Sequence, residues 1–586
     1  MTFPAPGTDT SNVPSGEVST HINARQNTAK WMSQSLLLLL AVAMVYGNTL
    51  WNGYTFDDRY VYDNNGMIRN WQNIGRLLDK SYFPLSGEAS YRPFCTLTYF
   101  ADATLWRGWH GGPHLTNVVL FGLIILAMFA VGIRVGFTGW SAFVGTLLFI
   151  VHPIHSEVVN SISFREDLLV TLFVLSGWLF YERGMSRSYG WLLVSLICYA
   201  GALFSKESGI VFLPCLFLLD ALQKNVGKQY LNPKRVRFTL SALALSAIYL
   251  LVRFRLMVCD QALIVSWPAN SLWKIMGSVI KIQSQYLMML VWPVEQHVYY
   301  PESEYILPMG HHAWLGVLTF VIAGGLIVYY RRTRASVFAL VWWLIAIAPM
   351  SNLIPIFNPM AERYLFLPSV GIFLWLGDEA WRWIRRGKWF PPMLVSTVLL
   401  LSATRTIMRN RDWQNDVILW THESKSYPAD LVVSINLMAA HQNAGRFAEA
   451  LEKGKTILAR INTENPPRRI NMALFYTILA AAEMMAANSQ EALTHFRMAE
   501  ALLPSRADIS YAIYRNIGVL LSSKGNPVTA MQYYDKAADI DPFQSDLHQH
   551  RASCLLQLGD IAGARRSWNT ARGLNPQLPP FDKATD

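Results

Sequence analysis

The sequence predicts an all-α protein in two parts, a polytopic helical membrane domain followed by a soluble solenoid of paired helices. Three observations carry that expectation. The chain has 586 residues, is 52% hydrophobic and only 15% charged, with a mean hydropathy of +0.22, too apolar for a soluble protein of this size. About twelve apolar runs, most near the length that crosses a bilayer, recur between residues 32 and 408. After Met408 the composition turns Ala-rich and polar, and a helical pattern repeats every 34 residues.

Composition also excludes some classes. The net charge of +11 comes from Lys and Arg clustered between apolar runs, as at Lys234, Arg235 and Arg237, at Arg331, Arg332 and Arg334, and at Arg382, Arg385 and Arg386. That is how orientation determinants are distributed, so nucleic acid is not expected as a partner. Cys95, Cys198, Cys215, Cys259 and Cys554 lie too far apart in sequence for a disulfide framework or a zinc motif.

In chain order, residues 1–30 read as a disordered cytoplasmic tail. Trp31 to Leu50 is a retained first span, since no small-residue cleavage site clearly follows it. The later runs fall at about 115–133, 139–155, 166–181, 189–205, 208–222, 238–256, 272–292, 313–330, 335–350, 364–380 and 390–408. A cytoplasmic N-terminus puts Arg134, the Arg183 to Arg187 turn and the Lys224 to Arg237 loop inside, as the positive-inside rule asks. Keeping Arg331 to Arg334 and Arg382 to Lys388 inside as well requires one run not to cross. The weakest is 272–292, with Lys274, Lys281, Gln283, Ser284 and Gln285. About eleven spans then remain in a membrane domain of residues 31–408, with the C-terminus outside.

The external loop 51–113 is long and patterned, and long ordered loops usually carry function. Met67, Trp71, Ile74, Leu77 and Leu78 predict an amphipathic helix on the membrane surface. A second helix is expected from Arg92 through Trp106.

Beyond a linker at 409–428, residues 429–586 read as about four repeats of two antiparallel helices closed by proline. Ala530, Tyr534, Ala537 and Pro542 recur 34 residues on as Ala564, Trp568, Ala571 and Pro576. Tyr514, Ile517, Gly518, Leu521 and Gly525 complete the strongest unit, and the pattern is that of tetratricopeptide repeats. Stacked units form a solenoid with a concave side that suits an extended peptide or partner protein, although the array could instead only brace the membrane domain.

Charged groups among apolar runs are functional candidates. The adjacent acids Asp57 and Asp58 follow the first span. On the expected topology they share a compartment with His152, His155 and Glu157, with Arg165, Glu166 and Asp167, with Lys206 and Glu207, and with Asn352, Glu362 and Arg363. Several cations and acids at one membrane face make a pocket suited to an anionic lipid headgroup. His152 and His155 could ligate a metal, but the proline between them spoils helical spacing and no third ligand is fixed, so capping and hydrogen bonding are expected of them.

These residues, in order, resemble the transmembrane and tetratricopeptide-repeat O-mannosyltransferases, within the polyprenyl-phosphate-dependent glycosyltransferases of the C type. The resemblance runs through Phe56-Asp57-Asp58, Tyr91-Arg92-Pro93, His114-Leu115-Thr116-Asn117-Val118, His152 to Glu157, Arg165 to Leu169, Ser205-Lys206-Glu207, Ala361-Glu362-Arg363-Tyr364-Leu365 with Leu367-Pro368-Ser369, Arg409-Asn410 with Trp413, Leu419-Trp420 and then the repeats. Phe164-Arg165-Glu166-Asp167 stands where the family often has Gly-Arg-Ala-Asp, and the array is short.

The resemblance implies a C-type membrane fold and transfer of a sugar, mannose first, from a polyprenyl phosphate to a Ser or Thr hydroxyl of an extracytoplasmic protein, inverting the anomeric centre. It implies Asp57 as base with Asp58 second, and donor-phosphate contact for Arg363 and Lys206, then Arg92 and Arg165. His152, His155, Glu157, Glu207 and Glu362 complete the expected pocket. Partners are a polyprenyl-linked sugar, an acceptor protein or peptide and membrane lipids; no cofactor is firmly implied, and a divalent metal lacks support. Transfer to a lipid or surface polysaccharide, and a non-catalytic scaffold, are the competing readings. The expected location is a bacterial inner membrane with the repeats in the periplasm, with the endoplasmic reticulum as the alternative.

Overall fold

The computed structural model describes residues 15–79, 82–85, 90–222, 232–256, 272–305, 325, 334–354, 356, 358–387, 389–463, 471–502, 507–575 and 577–584. Among them every regular element is helical. The apolar run at 313–330 lies outside the described residues apart from position 325.

The first helix, α1 (Ser15–Tyr46), leads through a 3-10 turn into the loop 51–113. The membrane domain continues with α2 (Pro93–Trp106), α3 (Gly111–Val135), α4 (Gly139–Val151), α5 (Arg165–Ser186), α6 (Tyr189–Ser205), α7 (Phe212–Ala221), α8 (Pro233–Leu251), α9 (Leu272–Val291), α10 (Arg334–Ile347), α11 (Phe366–Ile384) and α12 (Phe390–Asp412). Five stretches among the described residues are long and apolar enough to cross a membrane: Ala29–Trp51, Gly111–Val135, Arg165–Ser186, Pro233–Arg255 and Phe390–Asp412. A sixth is possible if α4 and the following Pro153–Asn160 segment, bent by 60°, count as one broken span. The apolar runs at 189–205 and 335–350 form helices of 17 and 14 residues, short beside the roughly 20 residues a straight crossing needs. Helix α9 turns Ser278 and Gln283 inward, so its polar positions face protein.

Close packing at the centre rests on small residues. A Cβ on Gly377 of α11 would lie 2.2 Å from the Gly145 nitrogen of α4, so these backbones approach at a distance only glycine permits. Phe121, Phe149, Trp178, Trp342 and Phe366 belong to the continuous buried core of this bundle.

In the loop 51–113, Met67 to Leu78 is not an α-helix. It forms two 3-10 segments, Gly66–Arg69 and Trp71–Leu78. Met67 and Leu77 turn into a small core with Tyr62, Tyr82 and Phe100, while Trp71, Ile74 and Leu78 stay exposed. Helix α2 spans Pro93–Trp106, and Pro93 supplies its first turn without losing a needed N–H.

The C-terminal region begins with α13 (Asp416–Ser426) and continues as four helix pairs: α14 (Leu431–Asn443) with α15 (Phe447–Thr463), α16 (Met472–Met485) with α17 (Ser489–Ala501), α18 (Ala507–Ser523) with α19 (Pro527–Ile540), and α20 (Ser545–Gln557) with α21 (Ile561–Leu574). The small signature residues sit against the aromatic ones as the pattern requires. Ala530, Tyr534 and Ala537 are buried with Leu547 and Cys554.

The array docks on the loop 51–113. A Cβ added to Gly66 would lie 2.1 Å from the carbonyl oxygen of Phe543, so loop and repeat backbone touch. The Arg76 guanidinium lies 5.4 Å over the Phe543 ring. A cleft of about 220 Å³ opens beside that contact, between Tyr60, Asn64, Asn65 and Tyr82 on one side and Asp539 to Gln544 on the other.

Candidate active site

The turn Ser161–Phe164, between the bent helix and α5, organises the polar groups at this end of the membrane domain together with Arg165 to Asp167 at the start of α5. Its serines hold Asp58. The Ser161 hydroxyl donates to Asp58 Oδ1 at 2.9 Å and the Ser163 N–H donates to the same oxygen at 2.7 Å. Asp58 is completely buried, and burial pushes its carboxyl up to about 6 against the pull of these hydrogen bonds.

Asp57 is only half-buried, and its neighbour Phe56 fixes how the loop presents it. Phe56 has φ +54, in the left-handed region that a bulky residue enters only under constraint. Three contacts supply that constraint. The Phe56 N–H donates to Asp416 Oδ1 at 2.7 Å, its ring packs 6.1 Å from Phe164 and 5.8 Å from Trp420, and Arg59 Nε reaches Asp416 Oδ2 at 2.5 Å. The strained residue beside the acid is thus clamped by α13, the helix that leads into the repeats.

Phe164 links this loop to a cation. The guanidinium of Arg363 lies 4.1 Å over the Phe164 ring, and its Nη1 pairs with Glu157 Oε1 at 2.5 Å. The Arg363 backbone N–H also donates to Glu157, at 2.7 Å. Glu166 and Asp167 extend the set. Lys206 Nζ donates to both Asp167 oxygens at 2.7 Å and lies 3.3 Å from Glu166. Burial works against the Lys206 ammonium, but Asp167 and Glu166 more than reverse it and hold its pKa above the ordinary value. Arg92 pairs with Glu166 at 2.6 Å and with Glu207 at 3.5 Å, and Arg253 closes the row on Glu207 at 3.6 Å. Arg363, Lys206 and Arg92 therefore stand in one arrangement with Glu157 and Glu207.

The other expected residues lie elsewhere. Arg165 is fully buried and bonds to Asp102, Asn117, Thr98 and the Pro113 carbonyl, so it clamps α5 to α2 and α3. His155 lies between the Phe149 carbonyl and the Ser369 hydroxyl, stacked 3.9 Å from the Phe149 ring. His152 caps the turn after α4 by accepting from the Ile154 N–H, and its other nitrogen meets the Leu290 carbonyl. Glu362 faces away from Arg363. It accepts from the His297 N–H at 2.7 Å and the Tyr300 hydroxyl at 2.9 Å, and burial pushes its carboxyl up to about 8.

Several contributors carry no sequence signal of their own. Asp416 is one. A second group joins the loop after α9 to α13, where Glu423 Oε2 meets His297 Nδ1 at 3.1 Å and Glu423 Oε1 meets His422 Nδ1 at 3.4 Å. These three offer ligand atoms all within 4.8 Å of one another, the arrangement among the described residues that could hold a metal ion. A third is a set of asparagines. Asn52 donates to Asn160, Asn160 to Asn410, and Asn410 to Asn48, which joins the end of α1, the bent segment and the end of α12.

An acid on a constrained loop beside paired cations, at the end of a helical membrane bundle, is an arrangement that can take up a proton while neighbouring cations hold an anion. Comparison with known proteins gives relatives by name. No family model matches the chain. It is similar to the human protein O-mannosyl-transferase TMTC3, 24% identical over 93% of this chain and 68% of that one. It is also similar to the Caenorhabditis elegans protein O-mannosyl-transferase F38B6.6, 22% identical over 69% of this chain and 59% of that one, and to the mouse protein O-mannosyl-transferase TMTC4, 25% identical over 66% and 60%. Among solved structures, the crystal structure of MamA aligns with 29% of this chain at 20% identity and a TM-score of 0.22, an overlap too small to identify a fold.

Proposed function

We propose that the chain acts as the transmembrane and tetratricopeptide-repeat O-mannosyltransferases it resembles, moving a mannosyl group from a polyprenyl phosphate to a Ser or Thr hydroxyl of a protein outside the cytoplasm. Asp57 takes the hydroxyl proton while the acceptor oxygen bonds to the anomeric carbon. The bond from that carbon to the phosphate oxygen breaks, and its electron pair leaves with the polyprenyl phosphate. Attack from the face opposite the leaving group inverts the centre. Arg363 and Lys206 stabilise the departing phosphate, with Arg92 behind them.

One observation carries this reading. Phe164 packs against Phe56, which precedes Asp57, and also lies under Arg363. Phe164 thereby touches both the loop that carries the proposed base and the proposed phosphate-binding cation. Between the two acids, burial favours Asp57, because Asp58 is sealed and saturated by Ser161 and Ser163. We assign Asp58 to bracing the loop and leave Arg165 out of the phosphate set.

The repeats then hold the acceptor protein, and the cleft beside Tyr60 lies one helical turn beyond Asp57. The test is reconstitution of the full chain with polyprenyl-phosphate mannose and an exported protein, read by mass spectrometry. Transfer that is lost in Asp57→Asn and kept in a mock substitution supports the assignment; full transfer in Asp57→Asn sinks it.

A further inference from the structure

We propose that His297, His422 and Glu423 bind a divalent cation of the zinc class, pinning the loop 292–300 of the membrane domain to the helix that leads into the repeats. This site is separate from the acid loop and goes beyond the transfer reaction.

The donor geometry fits such an ion. A tetrahedral zinc with bonds of about 2.0–2.2 Å has ligand atoms separated by roughly 3.3–3.5 Å. The two imidazole nitrogens stand 3.1 and 3.4 Å from the Glu423 oxygens, and all three ligand atoms fall within 4.8 Å. Two imidazoles and one carboxylate suit zinc better than magnesium or calcium, which prefer oxygen alone. A fourth position remains for water.

The surroundings of Glu423 keep it in its ligating form. Its side chain is 0% exposed, and its hydrogen-bond partners are the two imidazoles and the Val298 N–H at 3.2 Å. The buried guanidinium nearby, Arg409, directs its Nη1 to Asp412 at 3.1 Å. Among the described residues its Nε and Nη2 make no hydrogen bond and the guanidinium attracts Glu423, so the carboxylate is held ionised, the form in which it ligates a metal ion.

The surroundings orient the ligands and leave a way in. The His297 backbone N–H is held by Glu362, and its ring lies 4.8 Å from Tyr427 and 5.5 Å from Tyr300, which fixes the imidazole plane. His422 is 32% exposed, so the ion enters from its side.

The test uses the full chain in detergent, stripped with a chelator and titrated with zinc chloride, with metal content and thermal unfolding as readouts. About one equivalent should bind tightly and raise the unfolding temperature, and millimolar magnesium should not compete. His297→Ala should weaken zinc binding about tenfold or more. Because that residue is buried and the variant could misfold, His422→Ala, at a half-exposed position, is measured in parallel with its helicity checked. Zinc uptake unchanged in His422→Ala, or wild-type uptake no greater than that of a variant carrying both His297→Ala and His422→Ala, would overturn the proposal and leave the cluster as a hydrogen-bonded latch.

Discussion

The guanidinium of Arg363 rests 4.1 Å above the Phe164 ring while its Nη1 pairs with Glu157 at 2.5 Å. The guanidinium also lies 5.1 Å from the Tyr364 ring and is only 7% exposed, so it is a desolvated cation whose charge Glu157 balances at one edge. The Phe164 ring packs on Phe56, so the position of the cation and the shape of the acid loop depend on one side chain.

Phe164→Leu should therefore affect both partners at once. It removes a cation–π contact of roughly 1–2 kcal/mol and part of the wedge that holds Phe56. We expect a higher KM for the polyprenyl donor together with a lower kcat, measured by radiolabelled sugar transfer. A change in the KM for acceptor alone would contradict this coupling.

Asp57→Asn should lower transfer by about 10²-fold or more, the range of a lost general base, with thermal stability close to wild type. Retained helicity and unfolding temperature would separate this loss from misfolding.

Asp58 makes a pH-dependent contribution to stability. Its carboxyl is pushed up to about 6 in the folded chain, above an ordinary value of 3.8, so the native state binds the proton more tightly than the unfolded state. Stability favoured by the protonated form is fully present below about pH 4 and lost as pH rises to about 6, by roughly 3 kcal/mol from this group. Unfolding temperatures across that window should fall for the wild type and fall less for Asp58→Asn.

Arg165→Gln should act through the fold. The guanidinium is completely buried against Asp102, and leaving that carboxylate unpaired costs about 3–5 kcal/mol. We expect poor yield and a lowered unfolding temperature, with the donor KM of the surviving fraction unchanged.

Gly66→Val should separate the loop 51–113 from the repeats, because its side chain has no room beside the Phe543 carbonyl. Transfer to a whole protein acceptor should drop, while donor binding measured by equilibrium dialysis persists. Equal losses in both would mean that the substitution disturbs the membrane domain instead.

Much of the architecture was legible because it is periodic. Ala530, Tyr534 and Ala537 declare their helix by spacing, and the long run at 111–135 declares a span by composition. Asp57 stood out because charge at the end of an apolar run is conspicuous. Contacts made across the chain were not legible. Asp416 reaches Phe56 across 360 positions, and Asn160 reaches Asn410 across 250. No local pattern marks either. Nor does sequence tell an α-helix from a 3-10 segment when, as in Trp71–Leu78, the outcome depends on which side chains the surrounding core accepts. Arg165 was misleading for the opposite reason. It follows the same charged motif as Glu166 and Asp167, yet α5 turns it toward Asp102 and away from their cluster.

The asparagine joint sets the footing of the acid loop in a particular electrical state. Asn48, Asn52, Asn160 and Asn410 connect three membrane segments through amides alone. A charged group displaced across a membrane is subject to roughly 2.3 kcal/mol per 100 mV, but an amide carries no net charge on which that field can act. Nor does it titrate. The amide joint beneath the loop should therefore hold the same alignment in energised and de-energised membranes and across the pH range, so that any response of the enzyme to voltage or acidity originates in its charged and titrating groups, Asp58 among them, and not in this joint.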